Sequence, residues 1–115
     1  MDSCIFCKIV AGEIPSHRVL ETADFIAIED KYPAAKVHVL LIPRKHVESV
    51  AHLADDDAEL AGRLLLGARD VARQEGVDKT GYRVVINTGP DGNQSVPHLH
   101  VHVMGGEPLT GHGTA

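Results

Sequence analysis

Three histidines alternate with apolar residues near the end of this chain, in the run His98-Leu99-His100-Val101-His102-Val103. Successive side chains of a β-strand point to opposite faces of a sheet. We therefore expect a strand over residues 98–104 whose apolar side chains enter the core. Its three imidazoles would share the other face, about 6–7 Å apart along the strand. Packing alone calls for no such row, whereas proton transfer, nucleophilic attack and metal binding all use imidazoles.

The row of histidines has four interpretations: a solvated strand face, a set of metal ligands, a catalytic group acting on a phosphate or acyl substrate, and a binding site without catalysis. The preceding loop, Gly92-Asn93-Gln94-Ser95, bears on the choice. Its glycine permits a close backbone approach, and its amides and hydroxyl are suited to an anion. This combination favours chemistry on a phosphate. His100 is the natural nucleophile because it has a histidine on either side.

Composition indicates one small globular domain over residues 1–115. The chain has a formal net charge of −5 and no basic run, so we expect no binding to a nucleic-acid backbone. No segment approaches the roughly 18 apolar residues that span a bilayer, and no signal peptide is recognisable. We therefore expect no membrane contact and a cytoplasmic location. With no Trp, two Tyr and two Phe, the core rests on aliphatic residues, and dimer formation would add stability.

Hydrophobic periodicity and turn residues predict two helices and five strands. The helices cover residues 4–11 and a second stretch of about 20 residues that Asp55 or Asp56 caps and that ends before Gly76. The strands cover residues 17–21, 25–29, 37–42, 82–87 and 98–104. Because hairpin-like connections join the strands, this order predicts an α+β fold with a mainly antiparallel sheet. We expect residues 107–115 to form a flexible tail.

Cys4 and Cys7 form a C-x-x-C spacing close to the first residue. In a reducing compartment this spacing is used for metal binding or redox chemistry more than for a structural disulfide. A thioredoxin-like motif expects a strand before it, and only three residues precede Cys4. Burial of the cysteines as small apolar side chains is the remaining alternative.

Further segments accompany the histidine run: Cys-Ile-Phe-Cys-Lys-Ile at 4–9, Gly-Glu-Ile-Pro at 12–15, Leu-Leu-Ile-Pro-Arg-Lys-His at 40–46, Gly-Tyr-Arg-Val-Val-Ile-Asn at 81–87 and Gln-Ser-Val-Pro-His at 94–98. The run itself matches the signature H-x-H-x-H-x-x, where x is hydrophobic. Together these segments resemble the histidine triad (HIT) superfamily, in its Hint-like branch of nucleoside phosphoramidases. The resemblance implies a HIT-like five-stranded sheet with one long helix and a short N-terminal helix, and a sheet that continues across a homodimer.

The resemblance also implies a reaction, the hydrolysis of purine nucleoside 5′-phosphoramidates at the α-phosphate. It would pass through a nucleotidyl-histidine intermediate, release AMP or GMP, and need no cofactor for catalysis. His100 would be the nucleophile, and His98 and His102 would orient it and the phosphate. His38 would support the leaving-group side, where Ser95 would hydrogen-bond the leaving group.

Nucleotide-binding positions follow from the same resemblance. The amides of Asn93 and Gln94 would contact the phosphate, together with the catalytic residues Ser95, His100 and His102. Asn87 would lie beside phosphate and ribose, and Asp30 would accept from the ribose hydroxyls. Without the family, Asp30 is a turn residue before Tyr32-Pro33. Three departures from the family bear on base and leaving-group preference: Lys31 replaces an apolar residue against the base, Asn93 replaces a small residue, and the tail lacks a Trp.

Some HIT proteins with this N-terminal pattern have Cys₂His₂ sites, so the resemblance implies a structural zinc ion held by Cys4, Cys7, His46 and His98. Such a site would fasten the N-terminal helix to the sheet, fix His98 and leave His100 free. Two other functions stay open. One is a nucleotide-binding regulatory protein with weak catalysis, and the other is a zinc hydrolase with the three histidines of the run as ligands.

Overall fold

A computed structural model describes residues 4–111 as a five-stranded sheet and two helices. The elements are α1 (Ile5–Val10), β1 (Arg18–Glu21), β2 (Phe25–Glu29), β3 (Val37–Pro43), α2 (Ala58–Gln74), β4 (Tyr82–Val85) and β5 (Val101–Gly105). All neighbouring strands pair antiparallel, in the order β1-β2-β3-β5-β4. The predicted α+β fold is therefore confirmed.

Alternation along the central strands divides the core between two faces of the sheet. Ala27, Val39 and Leu41 pack against α2 on one face. Ile26 and Ile42, with the opposite parity, pack with α1 on the other face. The side chains of β5 divide in the same way, because Val101 and Val103 join the α2 core while the histidine between them faces the α1 side. The face that carries α1 is therefore the one that carries the site.

The long helix begins later than predicted and uses a different acidic residue at its start. A 3₁₀ turn occupies Asp55–Asp57, and α2 follows with 17 residues. The buried carboxylate of Asp57 accepts from Ala54 N at 2.8 Å and from Lys45 Nζ at 2.6 Å. Neither Asp55 nor Asp56 makes the capping hydrogen bond, so that detail was wrong. Gly76 follows the helix with a φ of 76°, as predicted for a residue that ends a helix.

Two predicted strands are too long. β5 begins at Val101 rather than at residue 98, because the preceding amides bond to loops: Leu99 N donates to Val47 O, and His98 N donates to Val96 O. β4 ends at Val85 rather than at residue 87. The segment 98–100 is thus held by loop contacts, and only the last histidine of the run lies in the sheet.

Residues 107–111 of the predicted tail lie against the sheet. Glu107 accepts from the backbone amide of Lys36 at 2.8 Å, and Leu109 packs on a small buried cluster around Met104. Arg83 donates to the carbonyl oxygens of residues 110 and 111. The mobility of the tail stays a prediction, and its last four residues lie outside the described residues. Within residues 4–111, no helix has the length and hydropathy of a membrane span.

Candidate active site and metal centre

A cavity of about 700 Å³ lies on the α1 face of the sheet. Five of the predicted site residues line it: Asp30, Lys31, Ser95, His100 and His102. Its remaining wall is largely apolar and includes Phe6, Ile9, Ile28 and Leu40. Such a cavity, apolar with a few polar groups at one end, is typical of a small-molecule site.

The histidines of the run are buried, with exposed fractions of 0% for His98, 3% for His100 and 8% for His102. This burial excludes the solvated strand face. The three side chains also diverge, since His98 faces the two cysteines and His102 faces His38. A zinc hydrolase with all three as ligands therefore finds no support in the geometry.

The tautomer of His100 follows from its one backbone partner. Its Nδ1 donates to the carbonyl oxygen of His98 at 2.8 Å. The proton therefore sits on Nδ1, and Nε2 keeps its lone pair. Burial lowers the pKa of His100, which favours the neutral ring. A neutral imidazole with a free, oriented lone pair is the form that a nucleophile requires.

His38 and His102 form a hydrogen-bonded relay whose protons can be assigned in the same way. Ala34 N donates to His38 Nδ1 at 2.9 Å, so the proton of His38 sits on Nε2. That proton faces His102 Nδ1 at 2.9 Å, which leaves the proton of His102 on its own Nε2. Burial, reinforced by His100 and His38, lowers the pKa of His102 to about 4. His102 is therefore a neutral donor at the cavity wall.

Asp30 lies beside this relay, with its Oδ2 3.4 Å from His38 Nε2. Asp30, His38 and His102 bring their ligand atoms within 4.8 Å of one another, the spacing of a metal site. A cation there would need a lone pair on His38 Nε2, but His38 Nδ1 already accepts from Ala34. Both ring nitrogens would have to be deprotonated, which neutral imidazole cannot supply. The group is a proton relay rather than a metal centre.

A second group meets the requirements of a zinc site. The ligand atoms of Cys4, Cys7, His46 and His98 all lie within 4.8 Å of one another. Cys7 Sγ lies 3.2 Å from His46 Nδ1, and Cys4 Sγ lies 3.3 Å from His98 Nδ1. Two thiols and two imidazoles are a donor set that structural zinc uses.

The protonation of His98 suits a metal ligand. Its Nε2 donates to Pro43 O at 2.9 Å, so the lone pair on Nδ1 faces the cysteines. Burial is the main cause that raises the pKa of the Cys7 thiol, so an isolated thiolate is disfavoured at this place. A bound cation would stabilise the thiolate form. The four residues therefore fit zinc.

The loop before the run is held by its own side chains. Asn87 Nδ2 donates to Gly92 O at 2.8 Å, and the side chain of Gln94 accepts from Gly89 N at 2.9 Å. The backbone amides of Asn93 and Gln94 also donate within the loop, to Pro90 O and Gly89 O. These amides therefore shape the loop in this structure, and Asn87, Asn93 and Gln94 do not line the large cavity. Their phosphate contact stays a prediction.

Two details of this loop have a steric reason. A Cβ on Gly92 would lie 2.3 Å from Thr88 O, so the close approach expected of this glycine is to its own loop. Asn93 has a φ of 61°, in the left-handed region that Asn enters more readily than most residues. This conformation accounts for an Asn at position 93.

One carboxylate oxygen of Asp30 makes the turn contact that the sequence suggested for this residue. Asp30 Oδ1 accepts from Tyr32 N at 2.8 Å, while the residue still lines the large cavity. Lys31 lines the same cavity. A carboxylate oxygen has two lone pairs, so the turn leaves acceptor capacity for a ligand.

Sequence reasoning missed the wall that α1 supplies. The ring of Phe6 packs edge-on against His100 at a centroid distance of 5.0 Å, and against His98 at 5.9 Å. Ile9, one turn later on α1, lines the cavity as well. Apolar residues at this helical spacing beside the C-x-x-C were the available signal. α1 and its N-cap residue thus supply two metal-ligand candidates, Cys7 and Cys4, and part of the cavity wall.

A family profile and a related bacterial protein show which family this chain belongs to. The family profile described as the HIT domain matches residues 11–109. The chain belongs to the HIT family. The protein HitA of Neisseria gonorrhoeae is 45% identical over 105 residues, which cover 91% of this chain and 97% of HitA. The HIT family was therefore identified correctly from the sequence.

Solved structures of HIT proteins share the fold. A HIT family hydrolase from Legionella pneumophila superposes with a TM-score of 0.92 and 42% identity, covering 94% of this chain and 96% of that one. A histidine triad nucleotide-binding protein from Candida albicans superposes with a TM-score of 0.80 and 32% identity, covering 98% of this chain and 87% of that one. A zinc-bound histidine triad family protein from Mycobacterium smegmatis superposes with a TM-score of 0.81 and 30% identity, covering 95% of this chain and 81% of that one. These neighbours support a hydrolase of the HIT family.

Proposed function

We propose that this HIT protein hydrolyses purine nucleoside 5′-phosphoramidates through a nucleotidyl intermediate on His100. The observation that carries the proposal is the free Nε2 lone pair of His100 on the wall of the large cavity. The apolar wall of the cavity offers a surface for a purine base. Asp30 and Lys31, which line the same cavity, would face the ribose and the base.

The proposed first step transfers the nucleotidyl group to the protein. His100 Nε2 attacks phosphorus, and the bond from phosphorus to the leaving nitrogen breaks. That nitrogen keeps the electron pair and takes a proton, which the Ser95 hydroxyl relays from solvent. His102 Nε2–H donates to a non-bridging oxygen as negative charge builds there. His38 keeps that proton in place through the relay.

The second step returns His100 to its starting form. Water attacks phosphorus, the phosphorus–Nε2 bond breaks, and its electron pair returns to the ring. The product is the nucleoside monophosphate, and one proton passes to solvent. Each step uses only groups of the chain, water and the substrate.

Zinc has a structural part in this proposal. Cys4, Cys7, His46 and His98 would hold it, and its charge would stabilise the two thiolates. The neighbour from Mycobacterium smegmatis, which is zinc-bound, supports this assignment. The ion would fasten α1 to the segment 98–100 without contacting substrate.

We also propose a homodimer through β4, and a cytoplasmic location. β4 is an edge strand of the sheet, and Tyr82, Val84 and Ile86 on and beside it are 37–39% exposed. An apolar edge of this kind is a template for strand pairing with a second copy. The two sheets would then continue as one.

Intact-protein mass spectrometry after brief mixing with adenosine 5′-phosphoramidate tests the function. We expect a transient AMP adduct on the wild type and on His52→Ala, an exposed-histidine control, but none on His100→Ala. Tight AMP binding with neither adduct nor AMP release would support a binding protein instead. AMP release that a chelator abolishes and added zinc restores, without any adduct, would support a zinc hydrolase.

A further inference from the structure

A second cavity of about 300 Å³ adjoins the large one. The two cavities share three lining residues, Ile5, Ser95 and Val96. Ser95, the residue proposed to contact the leaving nitrogen, thus stands between them. A substituent on that nitrogen needs space beyond Ser95, and the second cavity supplies such space.

The lining of the second cavity is amphipathic. Ile5, Val96 and Pro97 provide an apolar surface, and Ile5 is 46% exposed. Glu48 is the only carboxylate among the described residues that line the cavity, and none of those residues is Lys or Arg. The two zinc-ligand candidates in the lining, Cys4 and His46, would belong to a cluster in which two thiolates balance the ion.

Glu48 is tied to the loop that carries Ser95. The side-chain amide of Gln94 donates to Glu48 O at 2.7 Å and to Val96 O at 2.9 Å. The carboxylate of Glu48 lies 3.0 Å from His52 Nε2, with about half of its side chain exposed. The bond from Gln94 fixes the backbone of Glu48 beside this loop, and the half-exposed carboxylate places a negative charge in the lining of the cavity.

We infer that the second cavity is the subsite for the leaving group, and that Glu48 favours amines with an aliphatic stem and a terminal ammonium. This inference rests on the proposed function, because that function locates the leaving nitrogen at Ser95. The stem would pack on Ile5, Val96 and Pro97, and the ammonium would pair with the carboxylate. An exposed pair of this kind favours the cationic ligand by about threefold, and high salt weakens it.

Binding of non-cleavable analogues tests the subsite independently of turnover. Two adenosine 5′-alkylphosphonates serve as probes, in which carbon replaces the leaving nitrogen. One carries a 5-aminopentyl chain and the other a hexyl chain of the same length. Calorimetry at low salt gives, for each protein, the ratio of the dissociation constant of the hexyl probe to that of the aminopentyl probe. We expect this ratio to be about threefold larger for the wild type than for Glu48→Gln.

Two further variants exclude a general effect of mutation. Glu59→Gln, on the exposed surface of α2, should keep the wild-type ratio of the two dissociation constants. Glu48→Lys should invert the preference, so that a 5-carboxypentyl probe binds more tightly than the aminopentyl one. Thermal unfolding of each variant checks that it folds.

The outcomes separate this inference from the proposed function. Equal ratios in the wild type, Glu48→Gln and Glu48→Lys would overturn the subsite, whatever the turnover of phosphoramidates. The expected ratios together with no AMP release from adenosine 5′-phosphoramidate would support the subsite while overturning the proposed hydrolysis. Ratios that survive 1 M NaCl would also count against a charge-based subsite.

Discussion

The imidazole of His100 donates through Nδ1 to the carbonyl oxygen of His98, at 2.8 Å. The side chain of His98 in turn lies among the two cysteines and His46. One residue therefore joins the orientation of the proposed nucleophile to the candidate metal centre. A change at the cluster should reach His100 through this backbone carbonyl and through the ring of Phe6, which packs against both histidines.

We expect Cys7→Ser to lose zinc and to lower the free energy of unfolding by about 3 kcal/mol. This is the stability that a ligand of the folded state contributes when its concentration is about 100 times its dissociation constant. Metal analysis and urea unfolding at pH 7.5 measure the two effects. His52→Ala, outside the cluster, should keep about one equivalent of zinc. Purified wild type with far less than one equivalent would count against the metal centre.

Acid should destabilise the protein through His102, whose folded pKa of about 4 lies below the ordinary 6.5. Above pH 6.5 both the folded and the unfolded ring are neutral. Between pH 6.5 and about 4 only the unfolded chain takes up the proton, so stability falls as pH falls, by up to about 3 kcal/mol. Urea unfolding at pH 7.5 and 5.0 measures this. His17→Gln, at an exposed site, should keep the pH dependence, whereas His102→Asn should reduce it.

Two glycines of α2 should respond oppositely to alanine. A Cβ on Gly67 would lie 2.4 Å from Phe25 Cζ, whereas one on Gly62 meets nothing within 4 Å. We expect Gly67→Ala to cost about 1–3 kcal/mol through overpacking, and Gly62→Ala to stabilise by up to about 1 kcal/mol. Urea unfolding of both variants measures the difference. Equal effects would contradict the close packing of α2 on β2.

A charge on the β4 edge should weaken the proposed dimer. Val84→Lys places an ammonium in a pairing edge, and we expect the dissociation constant of the dimer to rise at least about tenfold. Sedimentation equilibrium across a concentration series measures it. Glu21→Gln, on the opposite edge strand β1, is the matched control and should leave the constant unchanged. A monomeric wild type at all concentrations would overturn the dimer.

Local pattern predicted the elements well where alternation and length were strong. β2 and β3 are mostly apolar, and the prediction differs from the structure by one residue at most. The prediction failed at the ends of elements, because hydrogen bonds to distant segments determine where a strand begins or ends. Leu99 N bonds to Val47 O, and this contact keeps residues 98–100 out of the sheet. The local sequence of the histidine run does not indicate that Val47 is the partner.

The candidate site was partly accessible from sequence. The triad and the C-x-x-C were visible as spacings, and Asp30, Lys31 and Ser95 were named and do line the large cavity. Phe6 was missed, because its role depends on how α1 docks onto the sheet. Glu48 was missed because its place beside the second cavity depends on a hydrogen bond from Gln94, 46 residues further along the chain.

The sequence by itself determined the family, the five-stranded sheet and the parity that sends the histidines away from the α2 core, because period-two alternation and motif spacing are local properties. Only the tertiary structure decided which nitrogen of each imidazole is free. His98 owes its free Nδ1 to Pro43 O, and His102 owes its proton on Nε2 to His38. These partners lie 55 and 64 residues away in the chain, so folding must bring them together before the chemistry of the rings is defined.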